Sequence, residues 1–426
     1  MARFSQVATV PAVVVNANNM LALLPIRSLG RKGIPVTCVL GRGNLEQNAL
    51  KITRFSRFIS EMYTFDEADY ERNVVSCLCQ IGKSYARKSV LFPTSDVDMI
   101  IISANREILQ KYYHLLMPPH ELLSTLLNKD RFYPFAQAQG FPIPKTFRAD
   151  GLTDIDSIAQ EVGYPCIIKP PWRDKAWKAL YGNRKVIISH GAEELESNIR
   201  RLYAQFKNLT IQEVIQGDEQ QIICSFAFLD ERSKPLGIFT SKKVRQFPPH
   251  FGNSALVQGV CEPRVVELTA RICKQLGLVG YVSIEFKKDP KGGEFKLIEI
   301  TTGRLNRQTG LSEIVGFSIP YIWYCHVLNM PVEIVPSNSE CAWISEVNEL
   351  RAFWEYWRNG EYTVGEWIRS YRNVTCCELF AKDDLLPFIM LLPSVVLDWI
   401  RRRVLRQAPF PGSRTLRRKG HKKPAA

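Results

Sequence analysis

The sequence predicts an α/β, Rossmann-like amino-terminal domain, a two-lobed α+β domain after it, and a helical carboxy-terminal extension. Three observations carry this reading. Strand-like and helix-like segments alternate from Ala12 to Tyr113, the pattern of a parallel sheet covered on both faces. From Asn128 onward helices and strands come in mixed order, and two acid-bearing strands are joined at "PKGG" (Pro290–Gly293). Beyond residue 340 the chain is aromatic-rich and helical in pattern. At 426 residues, 46% hydrophobic and 23% charged, the chain has ordinary globular composition and length for several domains.

The elements follow in order. "AVVVN" (Ala12–Asn16) is a buried strand, "MLALLPIRSLGRKG" a helix ending at Gly33, and "PVTCVL" (Pro35–Leu40) a second strand. A helix from Asp66 to Ile81 precedes the strand "SVLFPT" (Ser89–Thr94) and the helix "DVDMIIISANREILQKYY". The turn after the first strand, "NANNML", holds no glycine. A dinucleotide fingerprint needs glycines there so that backbone can approach a pyrophosphate. NAD and FAD are therefore not expected, although the strand ends still form a crevice.

A helix carries Lys129 near its start and ends at Gly140, and "FPIPKT" is a proline-stiffened connector. A helix over Thr153–Glu161, the strand "CIIKP", a basic loop, the strand "VIIS" and a helix from Ala192 come next. "TIQEVIQGDEQQIICSFAFL" reads as two strands around a turn at Gly217–Asp218. A strand within "KPLGIFTSKKVRQFPP", a helix over Pro263–Leu276, and the strands "YVSIEFKKD" and "FKLIEIT" complete the series.

Eleven cysteines lack any C-x-x-C pair, and no H-E-x-x-H occurs. Zinc and redox motifs are thus absent, and reduced thiols are expected. The start carries one basic residue and an apolar run broken by Pro11, which is not a secretory signal. The net charge is +14, but ten of the Lys and Arg residues fall between Arg401 and Ala426 with no acid among them. The remaining body is near neutral. Before this tail lies "LLPFIMLLPSVVLDWI" (Leu385–Ile400), interrupted by two prolines and an aspartate. It is too short and too broken to span a bilayer. The tail fits a solvated end, or a peripheral contact with anionic lipid at the inner face of a membrane. Nucleic acid is not the expected partner, because no base-stacking platform accompanies the charge.

Two features carry chemistry. Lys169 closes the otherwise apolar strand "CIIK", and Lys129 opens a helix. Glu285 in "SIEF" and Glu299 in "LIEI" lie in two strands joined by a tight turn. If the strands pair, both carboxylates enter one space, where they repel unless a cation sits between them. Mg²⁺ takes oxygen ligands, commonly one or two carboxylates plus nucleotide phosphates. The plainer alternative is that both acids face solvent.

The ordered set "NKDRF", "GFPIPKT", "GYPCIIKP", "IQEVIQGDE", "GYVSIEF" and "LIEI" resembles the ATP-grasp superfamily over roughly residues 10–330. "KKVRQFPP" and "IEFKKDPKGGEFKLIEI" resemble its carboxylate–amine ligases, the group of D-aspartate ligase. The resemblance implies a pre-ATP-grasp domain over 1–127 and an ATP-grasp domain over 128–335; the pattern beyond it gives a helical extension over 336–384 and an apolar segment with basic tail over 385–426. It implies a cytoplasmic ligase that uses ATP and Mg²⁺ to join a small carboxylate to an amine through an acylphosphate. Lys129 and Lys169 would bind phosphates. Gln212, Glu213 and Ile215 would form the hinge at the adenine, and Glu219 would accept from the ribose. Glu285 and Glu299 would hold the metal. Lys243, Arg245 and Arg304 would stabilise the transferring phosphoryl group or grip a carboxylate.

Two departures stand out. The family's E-x-N metal motif is replaced by Glu299–Ile300–Thr301, so that Thr301 or Asn306 would complete the site. The loop after Lys169 carries Trp172 and Trp177 with only Gly182, where relatives have a glycine-rich lid. A degenerate, non-catalytic scaffold tethered at a membrane is the alternative that Thr301 motivates.

Overall fold

The computed structural model describes residues 10–42, 52–149, 155–170, 175–182, 184–206, 208–334, 340–391 and 393. Its first sheet contains β1 (Ala12–Val14), β2 (Val36–Arg42), β3 (Glu61–Asp66), β4 (Ser89–Phe92) and β5 (Tyr113–His114), in the order β3-β2-β1-β4-β5. Every pairing is parallel. The side-chain period of two divides the apolar runs between two cores. Ala12, Val14, Val36, Cys38 and Phe92 pack on one face together with Phe226 and Trp323 from the rest of the molecule. Val13, Val15, Val39 and Leu91 pack on the other, under the helices Tyr70–Ser84 and Asp96–Ala104. The strands β3 and β5 were not expected from sequence. β3 is a largely exposed, polar edge and β5 is two residues long, so neither carries an apolar run.

The second sheet is the smaller lobe of the α+β domain. It contains β6 (Thr146–Ala149), β7 (Cys166–Lys169), β8 (Ile187–Ser189) and β9 (Leu209–Glu213), ordered β6-β9-β7-β8 and antiparallel throughout. The expected basic loop after Lys169 is a helix over Lys175–Tyr181. Trp177 is fully buried in this lobe's core, and its Nε1 donates to Arg184 O at 2.8 Å. Trp172 lies outside the described residues.

The third sheet contains β10 (Ile222–Leu229), β11 (Pro235–Phe247), β12 (Asn253–Val260), β13 (Gly280–Lys288), β14 (Phe295–Thr302), β15 (Ala342–Ile344) and β16 (Val374–Cys377). Its order is β14-β13-β10-β11-β12-β15-β16. β9 and β10, read from sequence as neighbours around a turn, belong to different sheets. The segment between them is therefore the hinge between the lobes. The helix Lys129–Ala138 packs Phe132, Tyr133 and Ala136 against Phe286, Leu297 and Ile300 of the larger lobe.

The carboxy-terminal extension is not purely helical. Its helices Glu346–Arg358 and Val364–Ser370 accompany β15 and β16, which extend the large sheet beyond β12. Strands of three and four residues are too short to carry a legible period. Residues 394–426, with the basic tail, lie outside the described residues. Among the described residues no helix is long and apolar enough to cross a membrane.

Candidate active site

Glu285 on β13 and Glu299 on β14 are direct partners in register. Opposed residues of an antiparallel pair share a face, so both carboxylates line the cavity between the lobes. Simple alternation would put Glu299 on the same face as Leu297, in the core. A register shift prevents this: Glu285 pairs with Glu299 while Phe286 pairs with Leu297, so Ile298 is an extra residue in β14. Leu297 and Ile300 enter the core, whereas Ile298 and Glu299 line the cavity. A β-bulge re-aims side chains in this way. It answers why an apolar strand tolerates the acid.

Lys169, at the end of β7, is buried beneath the acids. Its Nζ donates to Gln212 Oε1 at 2.6 Å and to Tyr133 OH at 2.9 Å. Burial pushes its ammonium down to about 8, opposed by Glu299 and Glu285. Gln212 in turn donates from Nε2 to Thr146 Oγ1 at 2.8 Å. Its side chain thus orients Lys169 and ties β9 to β6. Lys129 sits at a helix start capped by Asn128, whose Oδ1 accepts from Asp130 N at 2.9 Å. It lines both halves of the cavity.

The hinge residues Glu213 and Ile215 line the inner half, a space of about 100 Å³ between the lobes. The Glu213 carboxylate accepts from Lys145 N at 2.7 Å, fixing the connector to the hinge. Glu219 is buried just past the hinge. Burial pushes its carboxyl up, but hydrogen bonds from His250 and Tyr356 more than offset this and hold it at about 2. His250 N donates to its Oε1 at 2.7 Å, and the Tyr356 hydroxyl donates to the same oxygen. Tyr356 comes from the carboxy-terminal extension, so that extension reaches the hinge between the lobes.

The outer half is a space of about 350 Å³. Thr94, Ser95 and Asp96 reach it from the carboxyl end of β4, with Asn19 following β1, the edge of a parallel sheet where ligands bind. Gly303, at φ +75°, carries the chain against the helix Asp96–Ala104, where a β-carbon would overlap Met99. Arg304 is delivered to the cavity by this turn and pairs with Asp96. Burial opposes its charge, and Asp96 with Glu299 raises its pKa nonetheless.

Lys243 on β11 is buried, with its Nζ 2.6 Å from Glu285 Oε2. Burial works against this ammonium too, but Glu285 holds its pKa above the ordinary lysine value. Arg245 does not join it, a correction to the sequence expectation. The pairing of Lys243 with Val257 and Arg245 with Leu256 makes Val244 a bulge residue. Arg245 therefore turns away from the cavity and is completely buried. Its Nε donates to Glu349 Oε1 at 2.6 Å and its Nη2 to Ser370 Oγ at 2.8 Å. Arg245 anchors the extension and lines neither half of the cavity.

Thr301 and Asn306 both line the outer half. The Asn306 amide donates to Ser283 Oγ at 2.9 Å and accepts from Arg304 Nη1 at 3.1 Å. It is held by neighbours on both ends, whereas Thr301 adjoins Glu299 on its own strand. Among the described residues there is no cluster of three or more His, Cys, Asp or Glu side chains able to hold a metal. Two carboxylates with a hydroxyl nearby still fit Mg²⁺, which keeps waters and phosphate oxygens as its other ligands. Lys185 was missed from sequence. It donates to Gly252 O at 3.0 Å and lines both halves beside Lys129. It lies in an unremarkable basic stretch, so only the fold reveals it.

No family model matches the chain. The chain is 23% identical to the D-aspartate ligase of Enterococcus faecium (strain Aus0004) over 293 residues, covering 66% of this chain and 69% of that protein. It is 24% identical over 236 residues to the carbamoyl phosphate synthase large chain of Sulfurisphaera tokodaii, covering 51% of this chain. There it spans only about a fifth of the relative's length, 21%. Among solved structures it is similar to N5-carboxyaminoimidazole ribonucleotide synthetase from Thermus thermophilus, with a TM-score of 0.57 at 15% identity, over 78% of this chain and 82% of that one. The fold is thus similar to that of ATP-grasp proteins, as the ordered motifs implied.

Proposed function

We propose that the protein is an ATP- and Mg²⁺-dependent ligase that joins a carboxylate to an amine through an acylphosphate, with an amino acid among its substrates. The observation that carries this is the opposed pair Glu285 and Glu299, facing Lys169 across a cavity between two lobes. Gln212 and Tyr133 hold Lys169 where it meets nucleotide phosphates. Glu213 and Ile215 border the adenine, and Glu219 accepts from the ribose. Glu285 and Glu299, with Thr301 beside them, hold Mg²⁺, which when bound polarises the phosphate oxygens. A substrate carboxylate oxygen attacks the γ-phosphorus and ADP leaves. The amine nitrogen then attacks the acyl carbon, phosphate leaves, and the nitrogen loses a proton. Lys129, Lys243 and Arg304 face the charge that develops on the transferring group. Phosphate release from MgATP with pairs of carboxylates and amines tests this. Release that needs both partners is expected; ATP binding without release for any pair would indicate a scaffold.

Peripheral contact with an anionic membrane accompanies this reading. Glu346 opens a helix and accepts from Phe380 N at 2.7 Å. Leu350, Trp354 and Trp357 continue its face at helical spacing and are 65%, 55% and 46% exposed. The Phe380 ring meets Phe388, which lies in the apolar stretch Leu385–Ile400 that precedes the arginines at 401–403. Exposed tryptophans in a chain whose carboxy-terminal sequence is strongly basic suit a lipid interface. Flotation with phosphatidylserine vesicles at low salt is expected for the full chain. It should be lost in the double variant Trp354→Glu/Trp357→Glu and on truncation after residue 391. Equal flotation of all three overturns the membrane contact.

A further inference from the structure

The turn from β11 to β12, "PPHFG" (Pro248–Gly252), is held by its own sheet, by the smaller lobe and by the carboxy-terminal extension. Gln246 of β11 donates from Nε2 to His250 O at 3.1 Å, and Lys185 of the smaller lobe donates to Gly252 O at 3.0 Å. The turn is tight: a β-carbon on Gly252 would overlap the Phe247 carbonyl. Within it His250 takes φ +69°, a left-handed conformation that is uncommon outside glycine. Such a conformation persists only where its surroundings hold it, and it gathers at ligand sites.

At His250 those surroundings are carboxylates. Its backbone N donates to Glu219 Oε1 at 2.7 Å, and its ring Nδ1 stands 3.1 Å from the same oxygen. The ring Nε2 stands 3.4 Å from Glu361 Oε1 of the extension. The Tyr356 hydroxyl donates to Glu219 Oε1 as well. These contacts all fall on Oε1, so Oε2 is the oxygen left for a ligand. Glu219 and His250 line a space of about 190 Å³ beside the hinge, shared with Asp218, Lys287 and His190. On its inner side His250 borders the catalytic cavity, where Lys129, Lys169 and Lys185 are matched by Glu213, Glu285 and Glu299. The two carboxylates in contact outweigh the rest. Glu219 first, then Glu361, raises the His250 pKa above the ordinary 6.5, against partial burial.

We propose that His250 is a positioning residue for the nucleotide: paired with Glu219, it fixes that carboxylate so that Oε2 accepts from the ribose hydroxyls. This rests on the ATP-dependent reading above. A charge-assisted pair holds the carboxylate more firmly than a neutral donor does, and a carboxylate already ordered loses less freedom when the ligand arrives. Tyr356 and Glu361 make the carboxy-terminal extension part of the same arrangement.

Calorimetric titration of the full chain tests this, with MgADP and with the magnesium salt of dideoxyadenosine diphosphate, which lacks both ribose hydroxyls. Wild type is expected to prefer ADP by about tenfold or more. His250→Gly, which adopts the left-handed backbone without strain, is expected to cut that preference to about threefold or less. His250→Asn also tolerates this backbone and donates without charge, so its preference should fall between the two. Both nucleotides carry the same phosphates, so phosphate titration cancels in the ratio of their affinities. In wild type the ratio should decline about threefold from about pH 6 to about pH 9 as the imidazolium is lost; in His250→Asn it should stay flat. A general loosening of the fold weakens both nucleotides together and leaves the ratio unchanged. Wild-type ratios in both variants across this range overturn the role of His250 while the ligase reading stands. Wild type that binds no MgADP, or binds it no better than the dideoxy form, takes Glu219 away from the ribose and the role of His250 with it.

Discussion

Glu299→Gln is expected to lower MgATP-dependent turnover about 100-fold or more. The metal loses one of two anionic ligands, Glu285 and Glu299 being the paired carboxylates of this strand pair that line the cavity. The Mg²⁺ concentration for half-maximal nucleotide binding should rise about 10- to 100-fold, by analogy with loss of a metal's supporting groups. Glu285→Gln should lower turnover likewise and also lower Tm. Glu285 is the partner of Lys243, which is only 3% exposed, and an uncompensated buried ammonium destabilises the fold. Glu299→Gln should leave Tm closer to wild type. Calorimetric ATP titration with and without Mg²⁺, beside thermal unfolding, checks both. Unchanged Mg²⁺ dependence in Glu299→Gln would remove the carboxylate pair from the metal site.

Lys169→Ala is expected to lower kcat/KM for ATP by about 10²- to 10³-fold. The wild-type pH profile carries the same signature. With its ammonium held at about 8 by burial, nucleotide-free Lys169 loses its proton well below the ordinary lysine value of 10.5. kcat/KM, which reports the free enzyme, should therefore fall as pH rises through about 8. Stability moves the opposite way. Between about 8 and 10.5 the unfolded chain binds more protons than the folded one, so this group's contribution to stability rises with pH across that window. Lys169→Arg keeps its charge at all these pH values, and its profile should stay flat above 8. A wild-type profile as flat as that of Lys169→Arg would show that Lys169 does not meet the nucleotide.

Much of this was legible in the sequence because it depends on local pattern. The parallel sheet announces itself in "AVVVN", "PVTCVL" and "SVLFPT", apolar runs buried on both faces. The two acids announce themselves as charges within apolar strands. Register was not legible. The bulges at Val244 and Ile298 separate Lys243 from Arg245 and Leu297 from Glu299, and an inserted residue looks like any other in a strand. The family resemblance implied Arg245 at the chemistry beside Lys243, although its guanidinium closes on Glu349, over a hundred residues later. Partnerships of that range leave no trace in a window of ten residues. The same applies to Tyr356, whose hydroxyl reaches Glu219 from the extension.

The pairing of β15 with β12 has a consequence for the order in which the molecule can be made. A chain that leaves the ribosome amino terminus first presents β12 long before its neighbour exists. Until residues 342–344 emerge, one border of the catalytic sheet has open amide and carbonyl groups, the kind of edge that recruits foreign strands. The late-made extension thus covers this border at Leu256–Gln258 and also makes the hinge contact at Glu219. Its emergence, rather than completion of the two lobes before it, is the moment at which that stretch of β12 gains its partner strand.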